Sequence, residues 1–107
     1  METKLFKSAK LIGFSSKLEE NNDYYFKLCE LQKWMLERHK IYVIPVVNIF
    51  TKKFSFEGYD FKDKIGFENE NNCDNWKMKT YDEALAAGLS FIIDGKIKEK
   101  NGKTHIV

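Results

Sequence analysis

The run Tyr24-Tyr25-Phe26-Lys27-Leu28-Cys29-Glu30-Leu31-Gln32-Lys33-Trp34-Met35-Leu36-Glu37-Arg38-His39, followed by Lys40-Ile41-Tyr42-Val43-Ile44-Pro45-Val46-Val47-Asn48-Ile49-Phe50, decides the fold. In its first part Tyr24, Leu28, Leu31 and Met35 recur at helical spacing, widened by Tyr25 and Trp34. Lys27, Glu30, Lys33, Glu37 and Arg38 fall largely outside that stripe, and Lys33 with Glu37 sits at a helical ion-pair spacing. Asn21-Asn22-Asp23 offers side chains that accept from the first free N–H groups, so a helix over 23–39 is predicted. The second part is dense in β-branched and aromatic residues without a helical period, and reads as a strand over 41–50. Pro45 cannot donate to a ladder, which places that strand at a sheet edge or a bulge.

Working outward, Leu5, Ala9 and Ile12 predict a short helix over 3–12 that Gly13 stops. Downstream, Thr51-Lys52-Lys53 makes a turn and Phe54 opens a second strand. Phe54 and Phe56 share a parity that Tyr59 and Phe61 do not, and a bulge at Gly58 would bring all four to one face. Residues 62–75 read as a polar, Asn-rich loop holding a short strand near 64–68, with a further short strand over 76–79. Thr80-Tyr81-Asp82-Glu83 fits a capping box, and the helix it opens buries Ala84, Leu85, Gly88, Leu89 and Ile92 until Asp94-Gly95 stops it. An interior Gly88 signals close approach of another backbone.

Asn101-Gly102 is a strong two-residue turn signal, so residues 96–107 are expected to form a C-terminal hairpin. One face of that hairpin would carry Lys96, Lys98, Lys100, Lys103 and His105, a basic stripe and the expected partner-binding surface. The plainer reading of the same lysines is a solvated hairpin face that keeps an edge strand from pairing with other chains.

With 107 residues, the chain has the length of one domain. Its 43% hydrophobic content, with Phe 9, Tyr 5 and Trp 2, excludes intrinsic disorder. No apolar run approaches the ~18 residues of a membrane span, so no membrane partner is expected. The absence of a signal peptide at the start points to the cytoplasm, where Cys29 and Cys73 would be free thiols. Eighteen Lys+Arg against sixteen Asp+Glu leave a net charge of +2, which makes no case for a polyanionic partner.

Chemistry has little foothold. His39 lies at a helix end, where a cation offsets the macrodipole, and His105 reads as a solvated side chain. Neither pairs with a nucleophile, and Cys29 reads as a small hydrophobe on a helix. Cys73 has no cationic neighbour to activate it. Asp60, Asp63, Glu68, Glu70 and Asp74 do not have calcium-loop spacing, and the six glycines are scattered rather than clustered around a phosphate. No enzymatic activity, no metal, no cofactor and no small-molecule ligand is implied.

Two features point instead to binding. Tyr42, Phe50, Phe54 and Tyr59 are more aromatic surface than one sheet needs, though a core under two or three helices could absorb them. The helix–strand–strand–strand–helix order over 23–94 is also that of double-stranded RNA-binding domains. Those need a basic start to the last helix, where this chain has Thr80-Tyr81-Asp82-Glu83.

Leu31-Gln32-Lys33-Trp34-Met35-Leu36-Glu37-Arg38-His39-Lys40-Ile41-Tyr42-Val43 and Thr80-Tyr81-Asp82-Glu83-Ala84-Leu85-Ala86-Ala87-Gly88-Leu89, with Ala9-Lys10-Leu11-Ile12-Gly13-Phe14 ahead of them, resemble a family of small hypothetical proteins from phages and mobile elements of gut-type bacteria. The likeness runs over most of residues 3–92 and departs at the tail. It implies a genomic origin and no activity.

The expectation is thus one α+β domain over 1–107, with a small, mostly antiparallel sheet carrying two to three helices on one face. A short helix and loop occupy 1–22, and the hairpin follows at 96–107. Leu28, Leu31, Met35, Val43, Val47, Phe56, Leu85, Leu89 and Ile92 form the expected core. The expected function is non-enzymatic binding of a host or phage macromolecule, with a small nucleic-acid-binding module as the alternative.

Overall fold

In the computed structural model, residues 3–18, 23–69 and 72–102 are described. The chain runs α1 (Lys4–Leu11), α2 (Tyr24–His39), β1 (Ile41–Asn48), β2 (Lys53–Asp60), β3 (Ile65–Glu68), a 3-10 turn at Cys73–Asn75 and α3 (Tyr81–Gly102). It is an α+β fold with one antiparallel sheet in the order β1-β2-β3.

Local chemistry sets the ends. Asp23 caps α2, its Oδ1 accepting from the Tyr25 N–H at 2.8 Å. Lys40 ends the helix in the left-handed region (φ 60°), and the chain enters β1 at the next residue. Gly13 (φ 102°) turns the chain after α1, letting the Phe14 N–H return to the Ala9 carbonyl at 3.1 Å. Phe14 then drops into the core, edge-on to Trp34. At α3, the Glu83 N–H donates to Thr80 Oγ1 at 3.1 Å as a capping box requires. The reciprocal bond reaches one residue further back than expected, from the Lys79 N–H to Glu83 Oε2 at 3.1 Å.

α2 and α3 pack on the sheet's inner face, and α1 packs on α3. Phe6 and Ala9 of α1, Leu28, Leu31 and Met35 of α2, and Leu85, Leu89 and Ile93 of α3 meet Ile41, Val43 and Phe56 in one cluster. β1 is an edge strand, as Pro45 requires, and α2 shields its free side: Gln32 Nε2 donates to the Val43 carbonyl at 2.6 Å. Pro45, two residues on, presents its missing N–H to that same unpaired edge.

Four expectations are corrected. First, no hairpin forms over 96–102, because α3 continues unbroken to Gly102; residues 103–107 lie outside the described residues. Ile97 packs against the core at helical spacing from buried Ile93, and that tertiary contact outweighs the local stop signal of Asp94-Gly95. Second, there is no bulge at Gly58: β1 and β2 stay in register from Ile41↔Asp60 to Asn48↔Lys53, and Tyr59 and Phe61 remain exposed. Third, the segment over 76–79 makes a single bridge, Phe54↔Met78, rather than a strand. Fourth, Val47 is 47% exposed although it has the inward parity of buried Ile41 and Val43, because the helical cover thins toward that end of β1. Ile92 is only partly buried, while the other expected core residues are fully so.

Candidate binding surface

α3 crosses the sheet and overhangs its far end, leaving a cleft of about 520 Å³ between its C-terminal half and the row Ile41–Asp60–Ile65. Ile41, Phe67 and Ile92 line the cleft, and Ile65 and Phe91, both more than half exposed, form its apolar lips. The Phe91 ring stacks on Phe67 at 6.1 Å and leans on Phe56 at 5.8 Å, so the exposed ring is held in place. Asp60 Oδ1 accepts from the N–H groups of Lys62 (2.9 Å) and Asp63 (3.0 Å), which fixes the β2–β3 turn beside the cleft.

The expected basic stripe does not survive. Lys96 and Lys98 do reach the cleft rim, but as helical residues about 200° apart around the axis of α3 rather than neighbours on one strand face. Asp60, Asp94 and Glu99 share that rim, and Lys96 Nζ lies 3.7 Å from Glu99 Oε2. Lys100 continues the same helix, and Lys103 and His105 lie outside the described residues. The cleft is an apolar surface with a mixed-charge border, with no focused positive field.

His39 lies in the last turn of α2, but its surroundings disfavour the charged form. Its ring packs edge-on against Trp34 at 5.1 Å, with Nε2 buried and without a hydrogen-bond partner. Burial first, then Lys96 and Arg38, hold its pKa below the ordinary 6.5.

Aromatic residues remain on the surface in numbers the core could not absorb. The rings of Tyr25 and Tyr81, at the starts of α2 and α3, meet at 6.0 Å, and Phe26 adjoins Tyr25 at 6.1 Å. All three are exposed. Tyr59 donates its hydroxyl to Glu57 Oε1 at 2.9 Å, and that hydrogen bond to a carboxylate raises the phenol's pKa. Of the four aromatics singled out by sequence, Phe50 is 90% exposed, Tyr59 is exposed, and Tyr42 and Phe54 are half-buried. Sequence reasoning missed the β1–β2 tip as a separate feature. Its signal was Asn48 with Thr51 three residues on, a turn pair that ends the strand before Ile49.

Among the described residues, no three His, Cys, Asp or Glu side chains gather as a metal site. No described helix is long and apolar enough to cross a membrane. Compared with family models, curated proteins and solved structures, the chain matches none.

Proposed function

We propose that the chain is a non-enzymatic accessory protein of a phage or mobile element, acting in the bacterial cytoplasm by binding a protein of host or phage. The observation that carries this reading is the cleft under α3, whose lips Ile65 and Phe91 are left open on a rigid frame. Interface centres favour such aromatic and aliphatic anchors in a charged border. The runs around Lys33-Trp34 and Tyr81-Asp82-Glu83 support the genomic origin.

The test is affinity capture from host lysate with the wild-type chain and an Ile65→Asn/Phe91→Asn variant. A stoichiometric partner held by the wild type and lost from a still-folded variant supports the reading. Equal capture by both would sink it.

The order α2-β1-β2-β3-α3, with helices on one sheet face, supports the alternative of a nucleic-acid-binding module. Against it, the first turn of α3 carries Asp82 and Glu83, where phosphates would need cations. A gel shift on single- and double-stranded DNA and RNA that weakens with salt would favour that alternative. No shift at low salt would end it.

A further inference from the structure

The turn joining β1 to β2 ends in an apolar apex, where Phe50 is 90% exposed and Ile49 is 74% exposed. Single apolar side chains on a surface need no explanation. Here the backbone beneath them and the charge around them supply one.

The backbone comes first. The Phe50 N–H donates to Asn48 Oδ1 at 3.0 Å, and the Thr51 N–H reaches the same oxygen at 3.5 Å. The Lys52 N–H donates to the Asn48 carbonyl at 2.8 Å, and the Lys53 N–H to Thr51 Oγ1 at 3.3 Å. Four successive N–H groups are therefore satisfied within the turn. Asn48 is itself buried and pinned, its Nδ2 donating to the Cys73 carbonyl at 3.2 Å. These N–H groups do not need water, which is the condition for backbone to approach an apolar medium.

Charge comes second. Lys52 lies in the turn and Lys53 opens β2, while Lys77 and Lys79 flank Met78, which bridges Phe54. Lys52, Lys77 and Lys79 are exposed, and among the described residues none of the four lysines forms an ion pair. Glu83, at the start of α3, turns its Oε2 back to the Lys79 N–H. An apolar apex thus stands at the sheet end where Lys52, Lys53, Lys77 and Lys79 are brought together, with the Glu83 carboxylate bound at the Lys79 backbone.

We propose that this tip is a peripheral contact for an anionic lipid bilayer. Ile49 and Phe50 enter the boundary between headgroups and acyl chains, and the lysines rest on the charged surface. Phe50 is a single exposed ring flanked by aliphatic Ile49 and Val47, so successive nucleobases find no run of stacking rings at the apex, which argues against single-stranded nucleic acid. Lysine is depleted at protein interfaces, whereas each lysine near anionic lipid adds attraction. The lack of a long apolar run bears on crossing a bilayer and does not bear on two side chains resting in its surface. The proposal uses different residues from the cleft, so either reading can fail alone.

The test is co-sedimentation of the whole chain with vesicles of equal parts phosphatidylcholine and phosphatidylglycerol, beside phosphatidylcholine alone. The wild type should sediment with the anionic vesicles, reversibly and less at high salt, and not with the neutral ones. Ile49→Ser/Phe50→Ser should weaken partitioning by about tenfold or more, since two buried apolar side chains are lost. Lys52→Glu/Lys53→Glu should remove the preference for anionic lipid. Because Ile49, Phe50 and Lys52 are exposed and Lys53 is only half-buried, circular dichroism should show all variants folded. A Phe50→Trp variant should gain emission that acyl-chain-brominated lipids quench, beyond any quenching of the wild type, and this reading does not depend on the double variants. No sedimentation of the wild type, undiminished sedimentation of the serine variant, or absence of the added quenching would overturn the proposal. So would a tip that captures RNA or a protein while ignoring vesicles.

Discussion

Gly88 of α3 lies directly on Val43 of β1: a Cβ built at Gly88 would overlap Val43 Cγ1 and come within 2.9 Å of Phe56 Cγ. The helix can sit this close to the sheet because Gly88 carries no side chain, and that seating aims the C-terminal half of α3 over the cleft.

Two glycines of one helix should therefore respond in opposite directions. At Gly95 a Cβ meets nothing within 4 Å, so Gly95→Ala should stabilise the fold by roughly 0.5–1 kcal/mol through helix propensity alone. Gly88→Ala gains the same propensity but must displace stiff, β-branched Val43 and the root of the Phe56 ring. Overpacking of this kind costs about 1–3 kcal/mol, so a net loss is expected. Urea unfolding of both variants checks the pair. Destabilisation by Gly95→Ala would contradict a continuous α3.

Phe67 covers Gly58 across the β2–β3 pair, its ring occupying the space a Cβ there would take. Gly58→Ala should push the ring off its stack on Phe91 and cost about 1–2 kcal/mol. In a Phe67→Ala background the same substitution should cost almost nothing. A double-mutant cycle should accordingly return a coupling of about 1 kcal/mol or more. Additive effects would mean that the ring does not seat on the glycine.

Asn48 uses both ends of its amide, accepting from the Phe50 and Thr51 N–H groups and donating to the Cys73 carbonyl. Asn48→Asp keeps the acceptor but sets a buried carboxylate against a carbonyl, a change expected to cost roughly 2–3 kcal/mol at neutral pH. The carboxyl's folded pKa is then raised above its unfolded value near 3.9, so the penalty should shrink as pH falls below about 6 toward 4 and the group regains a donor. Asn48→Ala should show no such recovery. Unfolding midpoints for both variants at neutral and mildly acidic pH separate the two behaviours.

The sequence made α2 legible through its helical period and β1 through its density of β-branched residues, and Asp23, Pro45 and Thr80 mark places where local chemistry agrees with the fold. It misled where a local signal competed with a distant contact. Asp94-Gly95 reads as a stop until Ile97 is seen to extend the stripe of Leu89 and Ile93 onto the core. Gly58 reads as a bulge until the Phe67 ring is seen to fill its missing side chain. The cleft was out of reach for a related reason. Ile65 and Phe91 come from a strand and a helix joined only by the packing of α3, and no spacing rule links them. Phe50 counted as one more apolar residue, because composition records hydrophobicity and not where the helical cover ends.

Protonating His39 Nε2 would bury an N–H with no acceptor, beside the charges of Lys96 and Arg38 and against the Trp34 ring. The folded state therefore holds this histidine below its ordinary pKa of 6.5. A histidine with a depressed folded pKa leaves the unfolded chain binding more protons in the window between its two pKa values. Stability should consequently be at its full value above about pH 6.5 and fall as pH drops below it, until the folded-state histidine also titrates. His39→Phe keeps an aromatic ring against Trp34 and has no proton to take up, so its unfolding midpoint should vary less between about pH 7 and pH 5. Lys96→Gln should act in the same direction to a smaller degree, since Lys96 is the secondary cause after burial. Identical pH profiles for wild type and His39→Phe would show that the acid sensitivity resides elsewhere in the chain.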